Sequence, residues 1–176
     1  LGGGSFGNII PHKFNLNGFV NPEENTLINL NRMTIGMSEL VSSVCTRWAE
    51  KKVGCYSLNS SSCLFRNAQG VPELLNKQVL DLLFENKIIP VMTGDLIYRK
   101  ETGDRKYEIF SSDYLPSILS DYFEISKAIM LTDVDGIFEP ETGKVFREVN
   151  QNNFRDVIAC ASGSKMQDFT GGMVTK

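Results

Sequence analysis

The stretch NKQVLDLLFENKIIPVMTGD, Asn76 to Asp95, places two kinds of local order back to back. Its first part, NKQVLDLLFENK (76–87), reads as a helix, with Asn76 standing where a capping residue belongs. The short apolar run IIPVM (88–92) follows directly, as a strand buried on both faces should. A helix that feeds straight into a buried strand is the repeating unit of an open parallel sheet.

The same alternation extends in both directions. Upstream, Met37, Leu40, Val41, Val44 and Trp48 fall at the spacing of one buried helix face, and Gly54 is expected to stop that helix. CYSL (55–58) then reads as a short strand. Downstream, LIYRK and YEIF flank the polar ETGDRK, the pattern of a hairpin. SSDYLPSILSDYF opens a third helix, KAIML (127–131) reads as another buried strand, and NFRDVIACA as a last helix. The Asn-rich stretch from Asn15 to Thr34 is read as an irregular or partly helical insertion. The expected class is α/β: an open αβα sandwich with a mainly parallel sheet, in a single domain spanning residues 1–176.

Composition narrows the function. The chain has 176 residues, 41% of them hydrophobic, and a formal net charge of −3 without blocks of like charge, so neither a nucleic-acid nor a membrane surface is implied. Cys45, Cys55, Cys63 and Cys160 form no Cys-x-x-Cys pair, and with His12 as the single histidine a zinc site is not expected. Four reduced cysteines suit a cytoplasmic protein.

Open parallel sheets bind ligands beyond the carboxyl ends of their strands. Small, hydroxyl-bearing or acidic residues gather at four such places: LGGGSFGN (1–8), TGD (93–95), SSD (111–113) and TDVDG (132–136). The chain closes on DFTGGMVTK (168–176), a glycine pair with a hydroxyl before it and a lysine behind. Glycine turns, paired hydroxyls and a lysine together form a means of cradling phosphate groups. Singly, each signal is weak: a lone GGG is as often a plain turn, Ser-Ser-Asp is more often a helix cap, and Asp-Val-Asp-Gly is usually a loop.

In order and wording, GGGSFG, LTDVDGIF and TGGM resemble the amino acid kinase family, in the branch of fosfomycin kinases and isopentenyl phosphate kinases. RWAEK (47–51), RNAQGVPEL (66–74), FSSDYLP (110–116) and the Met-x-Thr-Lys ending lean towards the fosfomycin side, and the serine of GGGSFG towards the other. The resemblance implies an ATP-dependent phosphotransferase acting on a small phosphonate or phosphate monoester, fosfomycin kinase-like, with Mg2+ carried on the ATP phosphates and no metal ligand of the chain's own. The alternatives are an isopentenyl phosphate kinase, a kinase of the same fold with another acceptor, or a non-catalytic nucleotide-binding domain. It implies that Gly3 and Gly4 present backbone N–H groups between acceptor and donor phosphates. Ser111, Ser112 and Thr170 match acceptor-binding positions, and Asp113 matches an aspartate that orients catalytic lysines. Thr132 and Asp133 belong to the nucleotide loop, and Gly172 and Lys176 match the residues that meet the ATP phosphates. The body of the acceptor is expected between the helix from Met37 to Glu50 and the loop around Leu64, and a homodimer is compatible with the family.

Two departures bear on activity. Asn8 stands where relatives of this branch carry a histidine that binds the acceptor; asparagine donates hydrogen bonds but carries no charge, and His12 or Lys13 could supply it. The Lys-x-Gly-Gly-Ser strand that opens family members is missing, as are strands beyond the TGGM helix. The chain is therefore expected to be a fragment with little or no kinase activity alone.

Overall fold

The computed structural model describes residues 1–3, 19–20, 24–99, 107–132, 134–139 and 141–161. They belong to two compact units, Leu1–Ile125 and Ser126–Lys176.

The first unit is an α/β assembly around two open sheets. Helix α1 (Glu24–Glu50) starts well before Met37, so the Asn-rich stretch is helical in its second half. Met33, Met37 and Val41 form its buried stripe, at the spacing the sequence suggests. Gly54 does not stop this helix. The chain leaves it through Lys52, whose φ of 60° is left-handed, while the Val53 and Lys52 amides donate to the Trp48 and Ala49 carbonyls. This is the double bond that satisfies the last carbonyls of a helix.

Strand β2 (Cys55–Leu58), the single-turn helix α2 (Ser60–Cys63) and strands β3 (Leu64–Arg66) and β4 (Pro72–Leu74) follow. Helix α3 (Lys77–Glu85) has Asn76 in the capping position, but the Asn76 side chain makes no capping bond. The helix ends as α1 does: Lys87 has a φ of 56°, and the Ile88 amide donates to the Leu83 carbonyl at 2.8 Å. Strand β5 (Ile89–Met92) pairs in parallel with β2, from Cys55 opposite Ile89 to Leu58 opposite Met92.

The expected hairpin is present as β6 (Asp95–Arg99) and β7 (Tyr107–Phe110), antiparallel from Asp95 opposite Phe110 to Tyr98 opposite Tyr107. Taking the two-residue strand Phe19–Val20 as β1, the larger sheet runs β1-β7-β6-β3-β4. The pairing is more mixed than simple alternation implies: β2–β5 and β3–β6 are parallel, while β1–β7, β6–β7 and β3–β4 are antiparallel. Arg66 reaches across β6 to the buried Glu108 carboxylate, its Nη2 lying 2.6 Å from Oε1, and its Nη1 donates to the Gly70 carbonyl. This ion pair holds the β3–β4 turn to β7, and the Glu108 bond raises the guanidinium pKa above its ordinary value. Leu58, Leu64, Leu80, Met92, Ile97 and Phe110 make the centre of the core. A 3-10 turn (Ser112–Tyr114) and helix α4 (Leu115–Ser120) close the unit, as SSDYLPSILSDYF suggests.

In the second unit, KAIML forms no strand. Ile129 is 72% and Leu131 88% exposed, and no described strand pairs with the run. An apolar run becomes a buried strand only where neighbours accept its backbone hydrogen bonds. The unit continues through a bridge between Phe138 and Val145 to helix α5 (Phe154–Ala161), which buries Val157. Among the described residues, no helix is long and apolar enough to cross a membrane.

Candidate functional site

Three of the strand-end motifs meet in the first unit. Strand β5 ends at Met92, and the chain turns through Thr93 and Gly94 into β6. A Cβ on Gly94 would lie 2.6 Å from the Phe110 carbonyl oxygen and 3.2 Å from the Ser112 nitrogen. Only glycine lets the TGD turn pack so closely on the backbone that carries Ser111 and Ser112. The Leu1 nitrogen donates to the Met92 carbonyl at 2.6 Å. The glycines that follow Leu1 thus begin at the end of β5.

Ser111 is buried, and its hydroxyl accepts a 3.3 Å bond from the Asp113 amide, capping the 3-10 turn. The capping role and a binding role are compatible, because a hydroxyl that accepts still has a proton to donate. Ser112 and Asp113 are half-buried beside it.

Beneath these motifs lies a second group, of which the sequence exposes only Asp95. The Asp95 carboxylate is 2% exposed. It accepts from the Thr34 hydroxyl at 2.9 Å, the Ser61 hydroxyl at 2.8 Å and the Leu96 amide at 2.8 Å. The neighbouring Ser60 hydroxyl donates to the Thr93 carbonyl. One carboxylate thereby ties α1, α2 and β6 together at the turn that carries Gly94. Such a group is tolerated in the interior because hydrogen bonds replace its lost hydration. Ser60 and Ser61, which follow strand β2, and Thr34, within α1, were not singled out in the sequence.

The remaining expected positions fall elsewhere. Thr132 lies on an exposed loop of the second unit, where its hydroxyl accepts from the Val134 amide at 3.4 Å and orders the turn towards Gly136. Gly4, Asn8, His12, Lys13, Asp133, Thr170, Gly172 and Lys176 lie outside the described residues. Leu64 itself begins β3 and is fully buried in the core. Among the described residues, no three His, Cys, Asp or Glu side chains converge as a metal site.

Comparison with known proteins matches residues 2–176 to the amino acid kinase family. The isopentenyl phosphate kinase of Methanothermobacter thermautotrophicus is 25% identical over 186 residues, covering 99% of this chain and 67% of that protein. The glutamate 5-kinase of Lactiplantibacillus plantarum is 26% identical over 152 residues, covering 81% of this chain and 54% of its own length. An X-ray structure of isopentenyl phosphate kinase superposes with a TM-score of 0.74 at 20% identity, over 91% of this chain and 67% of that one. The product complex of the T. acidophilum isopentenyl phosphate kinase gives 0.70 at 24% identity, over 91% and 66%. The likeness to these structures shows a shared fold, and the chain spans about half the length of the glutamate 5-kinase.

Proposed function

Because the chain belongs to the amino acid kinase family, we propose that it is part of an ATP-dependent phosphotransferase whose acceptor is a small phosphonate or phosphate monoester. The protein would act in the cytoplasm. The observation that supports this reading is the packing of Gly94 on the Phe110–Ser112 backbone, which brings paired serines and Asp113 to the strand end where the opening glycines start.

Phosphoryl transfer asks the protein to hold two mutually repelling anions in line and to offset the charge that develops between them. ATP supplies the transferred group, and Mg2+ travels on its phosphates. Ser111 and Ser112 donate their hydroxyl protons to the acceptor oxygens, with Asn8 and Thr170 as further donors. The Gly3 and Gly4 amides face the gap between the two anions. Asp113 takes charge-assisted hydrogen bonds from lysine and so aims the ammonium group at the phosphates. Gly172 and Lys176 meet the donor phosphates, and Thr132 and Asp133 the nucleotide.

The acceptor is read as fosfomycin-like on RNAQGVPEL and FSSDYLP, with an isoprenoid phosphate as the other candidate for the same anionic head. A carboxylate acceptor is a second reading, favoured by the glutamate 5-kinase relatives. The test is ADP release from Mg-ATP by the product of the complete reading frame that encodes this chain, with fosfomycin, isopentenyl phosphate and glutamate in parallel. Turnover with either of the first two is expected. Ser112→Ala should then raise the acceptor KM by roughly 10-fold, the worth of one hydrogen bond to a charged group. Turnover with glutamate alone would overturn the reading. ATP binding without turnover of any acceptor would favour a non-catalytic domain.

A further inference from the structure

Cys45 and Cys55 take no part in the site above, yet they are the two cysteines that the fold brings together. Cys45 lies in the last turns of α1, and Cys55 opens β2. The Cys55 thiol donates to the Cys45 carbonyl across 3.8 Å, which sets the two residues side by side. Both are half-exposed, so a small reagent can reach them. The other two cysteines differ: Cys63 is buried in the core, and Cys160 belongs to the second unit.

We propose that Cys45 and Cys55 form a reversible dithiol that closes to a disulfide when the protein meets a low-molecular-weight disulfide. In the first step the Cys55 thiolate attacks one sulfur of the reagent, forming a mixed disulfide and releasing one thiol. In the second, the Cys45 thiolate attacks the Cys55 sulfur and releases the second thiol. Two protein thiols are oxidised, the reagent disulfide is reduced to two thiols, and the two protons pass to the departing thiolates. The reverse order of attack leads to the same disulfide with the same balance. The bond would tie the end of α1, which reaches Asp95 through Thr34, to β2, the partner of the strand that leads into Gly94.

The test is to equilibrate the folded protein in glutathione buffers from fully reduced to fully oxidised, alkylate the remaining thiols and map peptides by mass spectrometry. Trypsin cuts at Arg47, Lys51 and Lys52 between the two cysteines, and chymotrypsin cuts after Tyr56, separating Cys55 from Cys63. The expected result in oxidising buffer is a Cys45 peptide joined to a Cys55 peptide, about 2 Da lighter than their reduced sum, with Cys63 and Cys160 alkylated. Cys160→Ser should leave that bond intact, and Cys55→Ser should abolish it. Four alkylated thiols in oxidising buffer, or separate glutathione adducts on Cys45 and Cys55 without a bond between them, would overturn the proposal in the wild-type protein itself.

Discussion

Thr34, Ser61 and the Leu96 amide all point their hydrogens at one buried carboxylate, that of Asp95. Removing it by Asp95→Ala leaves three donors without an acceptor, and a loss of about 3 kcal/mol in urea unfolding is expected. Asp95→Asn keeps one acceptor oxygen and turns the other into a donor, so it should be milder, at about 1–2 kcal/mol. Equal losses for the two variants would mean that the hydrogen bonds are not what Asp95 contributes. Gly94 makes a different demand. A methyl group there meets the Phe110 carbonyl, a backbone atom that no rotamer change can move aside. Gly94→Ala should therefore destabilise by about 2–4 kcal/mol and displace the Ser111–Ser112 backbone; amide shifts confined to the β5–β6 turn would refute it. TGD and SSD were visible as motifs because each is contiguous. Thr34 was not, because a threonine becomes a ligand only when distant residues fold around it.

Two helices, α1 and α3, end in the same way and lead into the same parallel pair. Lys52 and Lys87 are each left-handed, and a few residues later Cys55 and Ile89 stand opposite one another. Two matched helix stops thus set the register of β2 against β5, with the Ile89 amide also donating to the Gly54 carbonyl. Lysine carries a Cβ penalty in this conformation that glycine lacks. Lys52→Gly and Lys87→Gly should each stabilise by about 0.5–1 kcal/mol, read from the urea midpoint; destabilisation would show that the lysine side chains contribute contacts of their own. At this scale the sequence was informative where a period could be counted. The stripe through Met37 and Val41, the β6–β7 hairpin and the run into β5 were all legible. Gly54 misled because a glycine after a helix is the usual stop, while the actual stop was a lysine with no compositional mark. KAIML misled because apolar content reports burial only when the rest of a sheet is at hand.

The alternation of strands and helices made the α/β class legible across the whole chain, while the direction of each ladder depended on crossovers that no local pattern encodes. β3 illustrates this: it is a three-residue strand flanked by a parallel neighbour and an antiparallel one. The division at Ile125 was also silent in the sequence, since no proline- or glycine-rich linker marks it. Residues 124–132 are exposed throughout, which makes Lys127 an accessible bond for a protease. Brief trypsin treatment should cut there early and leave a fragment containing α1 to α4. Survival of Lys127 after Lys51 has been cleaved would contradict that order.

The bare Ile129 and Leu131 side chains bear on how the protein behaves in a concentrated solution. A run with bare apolar side chains and no pairing strand among the described residues is a template for another chain, and identical runs can zip together edge to edge. Turbidity should grow with protein concentration and fall when Leu131 is replaced by lysine, a charge of the kind that natural sheets use as a gatekeeper. This exposed segment would then set the upper limit on the chain's solubility.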